Sequence, residues 1–282
     1  MGKFNNKLFA LRTASIIKKR GYAVIPNLIS KKLCIKLIKI LEFNSKKYQK
    51  LFASPGNVKK SQLQNKSNER IVVNLHNKNL AFFKIFEHPA VLKVLDILLK
   101  EGSYNNNEPY YLNNISARTP IKGSPAQQLH IDGGLPGVNY FLRVNALWCL
   151  NDFSKQNGST VVMPNSHKRK DYPNDNVKYK KLKNIYAKAG SVIIFGGNLW
   201  HRGSSKKNNL PRWGVILGYA RWWIKPSFDF MQNTPIHIYN KLNDSRKKLL
   251  GFNIIPPKDE FTRVRRVSDF CEIPQNYKLP TK

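Results

Sequence analysis

His130, Asp132 and His201 are the residues whose types and spacing point most directly to chemistry. His130 and Asp132 are separated by one residue, so on a β-strand both side chains face the same side and can bind one ion. Two imidazoles and one carboxylate are the ligands of a mononuclear non-haem iron(II) site, which leaves three metal positions open. The His-x-Asp pair is weak alone, because this composition gives roughly 0.3 such pairs by chance.

The first part of the chain carries helical patterns. Residues 5–20 place Leu8, Leu11 and Ile16 roughly on one side of a helix, and Gly21 is suited to end it. The pattern therefore predicts a helix that ends at Gly21.

Further helices and one strand are expected before residue 105. A short apolar strand is predicted over residues 22–25, and Ser30 is placed to cap a second helix. Pro89 begins another helix with a wide apolar stripe. Residues 54–70 are polar and interrupted by Gly and Pro, which predicts a loop.

The second part of the chain is β-rich. Its apolar segments are short, contain many β-branched and aromatic residues, and are separated by turn residues. Strands are predicted over residues 110–117, 141–150, 159–163, 191–195 and 214–223. This pattern predicts a mainly β fold with flanking α, a double-stranded β-helix (jelly roll, cupin-like) core with the N-terminal helices packed on one sheet. A metal site in such a fold lies between the sheets at one open end.

The segment from Asn157 to Lys168 carries a specific resemblance. It reads Asn-Gly-Ser-Thr-Val-Val-Met-Pro-Asn-Ser-His-Lys. This is similar to the NG-(A/S)-(L/T)-x-x-x-PGSH-(K/R) signature of the phytanoyl-CoA dioxygenase family of iron(II)- and 2-oxoglutarate-dependent oxygenases. Asn165 stands where the family usually has Gly. Because Asn is the residue other than Gly that best tolerates a left-handed backbone, we expect the turn to survive.

Other segments match the same family in the same order, so the resemblance runs from about Gly21 to at least Trp223. The matching segments are Gly21–Pro26, His130-x-Asp132, and Ala189–Phe195 leading into Trp200-His201.

The resemblance implies a role for each candidate residue. His130, Asp132 and His201 would bind iron(II), and Arg212, at the family's spacing after His201, would bind the distal carboxylate of 2-oxoglutarate. A guanidinium forms two parallel hydrogen bonds with a carboxylate, which a Lys cannot reproduce.

Two further residues are predicted to contribute to the cofactor pocket. Gln127 and Gln128 precede the His-x-Asp pair. Each is expected either to face the cavity or to be exposed to solvent. Asn208 either supports the co-substrate pocket or turns its loop. His167 is expected to be structural, and His76, His88 and His237 lack partners at useful spacing, so we expect them not to be ligands.

The implied reaction is hydroxylation of a small molecule with release of succinate and carbon dioxide. Halogenating relatives replace the carboxylate ligand with a small residue, so Asp132 favours hydroxylation. Two alternatives stay open: a nucleic-acid-modifying oxygenase and a non-catalytic jelly-roll binding protein. The DNA-repair branch usually has two Arg six apart after the distal His, whereas Arg212 is followed by Arg221 here. A non-catalytic protein would have no reason to retain all four site residues.

The formal charge is +33, from 49 Lys plus Arg against 16 Asp plus Glu. Such a field attracts nucleic acid, acidic lipid surfaces and phosphorylated or carboxylated molecules, and it favours an acidic substrate. Compositional bias toward Lys and Asn at exposed positions is the alternative explanation.

A soluble, cytoplasmic protein is expected, because no apolar run approaches membrane-spanning length and the N-terminus lacks a signal core. Cys34, Cys149 and Cys271 are widely separated and are predicted to be free thiols in a reducing compartment.

A single domain is predicted over residues 1–282. It comprises a helical part (1–105), a jelly-roll core (about 110–224) and a C-terminal extension (225–282). Substrate choice is expected to lie in the loops 54–70, 102–109 and 133–140 and in the tail after 224.

Overall fold

The computed structural model describes residues 6–53, 68–103, 108–133, 135–174, 176–254 and 261, without the side chains of residues 48–53. Most of the predicted loop 54–70, part of the loop 102–109, most of the tail beyond 254 and Cys271 lie outside the described residues.

Helices and strands alternate in the first part of the chain, strands dominate the middle and short helices follow. In chain order the elements are α1 (Lys7–Arg20), β1 (Tyr22–Ile25), α2 (Lys31–Ala53), β2 (Glu69–Val73), α3 (Phe83–Phe86), α4 (Pro89–Leu99), β3 (Tyr110–Pro120), β4 (Arg143–Cys149), β5 (Thr160–Val162), β6 (Lys183–Ile185), β7 (Val192–Gly196), β8 (His201–Gly203), β9 (Gly214–Arg221), α5 (Phe230–Asn233), α6 (Ile236–Tyr239) and α7 (Asp244–Leu249).

Two antiparallel sheets form the core. The larger has the order β1-β7-β4-β9-β3-β2, and the smaller has the order β6-β5-β8. One apolar cluster lies between the larger sheet and the helices, and it includes Trp148 of β4 and Leu95 of α4. A second lies on the opposite face of β4, where Leu147 packs with Val162 of the smaller sheet. The predicted fold class, with helices packed on one sheet of a double-stranded β-helix, is confirmed.

Every residue of β4 is buried because helices cover one face of the larger sheet and the smaller sheet covers the other. This explains the apolar run from Ala146 to Cys149, which is typical of a strand buried on both faces.

The predicted first helix forms, but the apolar side that the sequence shows is not its buried face. Leu8, Leu11 and Ile16 are 53%, 46% and 45% exposed, whereas the buried face consists of Ala10, Thr13, Ala14 and Ile17. Small residues allow α1 to approach α4 and β1 closely, and this packing decides the orientation of the helix.

All five predicted strands of the second part form, with ends shifted by a few residues. Three strands were not predicted: β2, β6 and β8. Two of these have only three residues, too short for a visible alternation of polar and apolar positions. Because β1 and β2 pair with β7 and β3, the predicted helical part also supplies strands to the core sheet.

Two local predictions agree with the structure. Gly21 ends α1 with φ 90°, and Asn165 adopts the left-handed conformation with φ 67° in the turn after β5.

Cys34 and Cys149 are buried free thiols. Among the described helices, none is long and apolar enough to cross a membrane.

Candidate active site

His130 and His201 are brought together by their own backbones. The amide of His130 donates to the carbonyl of His201 at 3.0 Å, and the amide of His201 donates to the carbonyl of His130 at 2.9 Å. Their ring centroids are 4.5 Å apart. His201 begins β8, which pairs with β5, so the smaller sheet fixes the position of both rings.

Both imidazoles present the same nitrogen to the site. Nδ1 of His130 lies 2.8 Å from the carbonyl oxygen of Gln128, and Nδ1 of His201 lies 2.9 Å from that of Leu199. A carbonyl oxygen only accepts, so each Nδ1 carries the proton and each neutral ring keeps an Nε2 lone pair for a metal.

Asp132 completes the group. Its Oδ1 lies 3.6 Å from Nε2 of His130, and its Oδ2 lies 3.5 Å from Nε2 of His201. One possible ligand atom from each of the three residues lies within 4.8 Å of the other two. Two neutral imidazoles and a carboxylate are a donor set that suits iron(II). Within the described part of the chain, this is the one such group of three His, Cys, Asp or Glu residues.

The backbone around Asp132 differs from the regular strand that the sequence predicts. His130 forms an isolated bridge and Asp132 lies in a bend, where its amide donates to the carbonyl of Gly197 at 2.9 Å. The two side chains still converge, because backbone hydrogen bonds hold His130 to His201 and Asp132 to Gly197.

Charge at the site is arranged to keep Asp132 ionised. Burial raises its pKa, but His201, His130 and Arg143 together hold the pKa well below the ordinary value. For His130, burial lowers the pKa, but the interaction with Asp132 raises it above the ordinary value.

Arg212 is buried with few partners. Its Nη2 donates to Oγ1 of Thr160 at 3.2 Å, and its guanidinium carbon lies 3.9 Å from the centre of the Phe153 ring. Its Nε is buried and has no hydrogen-bond partner among the described atoms. Burial lowers the pKa of Arg212 to about 10, so the group stays charged at neutral pH. A buried, under-satisfied guanidinium suits a carboxylate ligand.

One cavity of about 500 Å³ connects these groups. The three candidate metal ligands, Arg212 and Thr160 all line it, and Leu147, Phe195 and Ile216 supply apolar walls. Cavities of roughly 300–1,000 Å³ are typical of small-molecule sites. The volume and the mixed lining therefore suit a small diacid next to a second organic molecule.

The two further predicted cofactor residues differ in placement. Gln128 is exposed, lines the cavity and supplies the carbonyl that orients His130. Gln127 also lines the cavity, and its Oε1 accepts from the amide of Gly203 at 2.8 Å. Asn208 does not line this cavity; its Oδ1 accepts from the amide of Leu210 at 3.2 Å, which is the loop-turning alternative.

The other histidines lie outside the metal group. His167 is buried, and its Nε2 donates to the carbonyl of Lys18 at 3.0 Å, so it ties the signature turn to the end of α1. His76 is buried, His88 is half-buried and His237 is exposed. Among the residues that the structure describes, none of these three belongs to a group that could hold a metal.

Sequence reasoning missed several residues that support the site. Thr160 and Phe153 contact Arg212, and Arg143 and Asn145 contact Asp132. A signal for the last pair was available: polar residues two apart in an otherwise apolar strand lie on one face.

Comparison with known proteins agrees with this geometry. The model of the phytanoyl-CoA dioxygenase (PhyH) family matches residues 17–214, more than half of the chain. The chain is 22% identical over 184 residues to an uncharacterized protein of Mycobacterium tuberculosis, covering 64% of this chain and 67% of that protein. It is 28% identical over 152 residues to dioxygenase af480 of Aspergillus fumigatus, covering 51% of this chain and 48% of that protein.

Solved structures share the fold. HygX from Streptomyces hygroscopicus, crystallised with nickel and 2-oxoglutarate, has a TM-score of 0.58 at 17% identity, covering 76% of this chain and 88% of that one. The epimerase SnoN, crystallised with Fe3+, alpha ketoglutarate and nogalamycin RO, has a TM-score of 0.59 at 14% identity, covering 82% and 92%. The chain therefore belongs to the phytanoyl-CoA dioxygenase family of iron(II)- and 2-oxoglutarate-dependent oxygenases, which confirms the family predicted from the sequence.

Proposed function

We propose that this protein hydroxylates a small molecule, using iron(II), 2-oxoglutarate and molecular oxygen and releasing succinate and carbon dioxide. The observation that carries the proposal is one cavity lined both by the His130, Asp132 and His201 group and by the under-satisfied guanidinium of Arg212.

Each of these residues has a definite task. His130 and His201 present Nε2, Asp132 presents a carboxylate, and together they would hold iron(II) on one face. Bound iron(II) and 2-oxoglutarate would supply the redox chemistry that couples oxidative decarboxylation to oxidation of a C–H bond. Arg212 binds the distal carboxylate of the co-substrate, and Thr160 orients the guanidinium. The apolar walls exclude water from the reacting groups.

Hydroxylation is favoured among the reactions that this fold supports. Similar structures include an enzyme described as an epimerase and one described as a carbocyclase, so the fold alone does not select the product. The carboxylate of Asp132 occupies the position that a halide needs in halogenating relatives, which argues against halogenation. Products that gain one oxygen atom in mass would support hydroxylation; isomerised, cyclised or halogenated products would contradict it.

We further propose an acidic substrate, because two more arginines, Arg118 and Arg202, line the cavity with Arg212. Arg118 of β3 is half-buried and lines the cavity, and its Nη1 lies 3.1 Å from Oε1 of Glu69. Its Nε is buried without a hydrogen-bond partner among the described atoms. A carboxylate or phosphate on the substrate would satisfy these donors.

The nucleic-acid alternative rests on net charge alone. Arg221 donates from Nε to the carbonyl of Phe141 and from Nη2 to that of Glu101, and it does not line the cavity. It is therefore not placed to assist Arg212. A salt titration with methylated and unmethylated oligonucleotides, with succinate as the readout, tests this alternative: salt-sensitive, methyl-dependent turnover would favour it.

The proposed function is tested in two steps. Anaerobic addition of iron(II) and 2-oxoglutarate to the purified protein should give a visible charge-transfer absorption band, and His201→Ala should remove it. No band at saturating concentrations would favour the non-catalytic alternative. In air, succinate formation is then screened against small acids, acyl thioesters and natural-product intermediates.

Each acid in the screen is paired with its neutral amide. We expect acids to stimulate succinate formation more than their amides, and Arg118→Gln to reduce that preference. Equal stimulation by acids and amides would exclude the acidic substrate while leaving the oxygenase proposal intact.

A further inference from the structure

Asp132 is held from outside the metal group by two residues of β4. Nη1 of Arg143 donates to the carbonyl oxygen of Asp132 at 2.9 Å, and Nη2 lies 3.9 Å from Oδ2. Nδ2 of Asn145 donates to the same Oδ2 at 3.0 Å. Nε of Arg143 in turn donates to Oδ1 of Asn145 at 2.9 Å, so the three residues form one closed network.

The larger sheet leaves space for this network at two glycines. A Cβ on Gly218 would lie 2.7 Å from both Nε and Nη2 of Arg143, and a Cβ on Gly197 would lie 3.1 Å from its Cβ. Every other L residue carries that Cβ, so glycine at position 218 leaves room for the guanidinium in this position, and glycine at 197 leaves room for the start of the Arg143 side chain. Arg143 is 7% exposed and Asn145 is fully buried.

We propose that Arg143 and Asn145 are positioning residues that restrict Asp132 to binding a metal through a single oxygen. This inference rests on the proposed metal site. The amide of Asn145 donates to Oδ2, which also lies 3.5 Å from Nε2 of His201, whereas Oδ1 faces Nε2 of His130 and receives no hydrogen bond from Asn145; Oδ1 is therefore the ligand atom of this inference. Arg143 fixes the backbone of Asp132 and orients the amide of Asn145, so the carboxylate keeps one rotamer whether or not a metal is bound.

The neutral side chain of Asn145 is part of this inference. A second carboxylate at this position would have no N–H to donate to Oδ2 and would repel Asp132. Asn145→Asp therefore removes the hydrogen bond with almost no change in shape, and Asn145→Ala removes it by deleting the amide.

The test is an anaerobic titration of the purified full-length protein with Co(II), followed by its visible d–d absorption. Asn145→Ala and Asn145→Asp should raise the Kd for Co(II) by about 10- to 100-fold and alter the shape of the d–d bands, as loss of such a partner of a metal ligand typically does. Arg143→Lys, which keeps the charge but not the fork, should raise the Kd less.

Arg221→Lys is the matched control. Arg221 is also buried in the larger sheet and also forms two hydrogen bonds, but both go to backbone carbonyls that do not belong to the site. Its Kd for Co(II) and its bands should stay at wild-type values. Melting temperatures of the metal-free variants separate the two effects, because a merely structural role lowers the melting temperature without changing the bands.

Wild-type Kd and bands in folded Asn145→Ala would overturn the inference. If Arg143→Lys does not fold, Asn145→Ala decides alone, since it retains Arg143. Asp132→Ala distinguishes the two proposals: wild-type Co(II) binding in that variant would contradict the metal site itself, whereas lost binding there together with unchanged binding in Asn145→Ala would contradict only the positioning role.

Discussion

Arg143 and Arg212 are both buried arginines at the candidate site, Arg143 behind Asp132 and Arg212 in the cavity wall, and their surroundings differ. Arg143 donates to Asn145 and to the backbone of Asp132, and its charge lies near a carboxylate. Arg212 has one described hydrogen bond, to Thr160, and forms no ion pair with any residue that the structure describes. Burial lowers the pKa of both groups, and only for Arg143 does Asp132 oppose that change.

This difference indicates different roles: Arg143 supports the candidate metal ligands, and Arg212 recognises a bound ligand. A buried charge with a partner in the chain stabilises one arrangement of its neighbours, whereas a buried charge without one is costly until a ligand supplies the partner. In the proposed function, Arg143 therefore supports the metal end of the site, whereas Arg212 is available to bind the distal carboxylate of 2-oxoglutarate. Four substitutions test the comparison.

The largest effect is expected for Asp132→Ala. It removes a metal ligand and also leaves Arg143 without its carboxylate, so succinate formation should fall to background. The free energy of unfolding of the metal-free protein should decrease by about 1–3 kcal/mol. Succinate assays and chemical denaturation measure the two effects; unchanged stability would show that Asp132 does not compensate Arg143.

Arg212→Gln should leave the metal end intact and remove recognition. We expect the apparent KM for 2-oxoglutarate to rise about 100-fold, since charge-assisted hydrogen bonds contribute about 1.5–3 kcal/mol each. Arg212→Lys keeps the charge without the fork and should cause a smaller rise, about 10-fold. Co(II) affinity should not change in either variant. An unaltered KM would remove Arg212 from the co-substrate site.

Thr160→Val removes the described hydrogen-bond acceptor of Arg212 and preserves the shape of the side chain. The guanidinium should become less well oriented, and the KM for 2-oxoglutarate should rise about 5-fold, the equivalent of about 1 kcal/mol. Thr160→Ser retains the hydroxyl and should stay near the wild-type KM. If both variants behave alike, the hydroxyl is not what orients Arg212.

Glu42→Gln provides a contrast with the two buried arginines, because it tests Arg70, an arginine in a partly exposed ion pair. Glu42 of α2 accepts from both Nη atoms of Arg70 at 2.6 and 2.9 Å and from Nε1 of Trp213 at 2.7 Å. The hydrogen bonds of Arg70, foremost, hold the pKa of Glu42 below its ordinary value. Because the folded pKa is depressed, this stabilisation is complete above the ordinary glutamate pKa and is lost as pH falls through the folded value.

We therefore expect Glu42→Gln to lower the free energy of unfolding by about 1–2 kcal/mol at pH 7, and by much less near pH 3. Thermal melting of both proteins across this pH range is the measurement. A difference that stays constant with pH would mean that the carboxylate charge of Glu42 does not matter.

The sequence predicted chemistry better than packing. His130, Asp132 and His201, which the His-x-Asp spacing and the family resemblance single out, lie together with Arg212 around one cavity, although neither His130 nor Asp132 lies in a regular strand. The apolar side of α1 does not mark its buried face, because close packing selected small residues over Leu8, Leu11 and Ile16.

The residues that support the site were missed for a similar reason. Thr160 contacts Arg212 across 52 residues of sequence, and no local pattern reports such a pairing. Arg143 and Asn145 share one face of β4, but this pattern does not show that they contact Asp132. Strand β8 was too short for its pairing with β5 to be visible, although that pairing places His201.

The reciprocal backbone bonds between His130 and His201 have a consequence for how the site assembles. Because main-chain atoms make this connection, the distance between the two ligands does not depend on either imidazole or on a bound ion. Metal capture then closes no chain loop and needs little loss of chain entropy, unlike small domains that fold only around their metal. The metal-free protein should therefore retain its cooperative unfolding transition, with an added ion raising its midpoint through mass action alone.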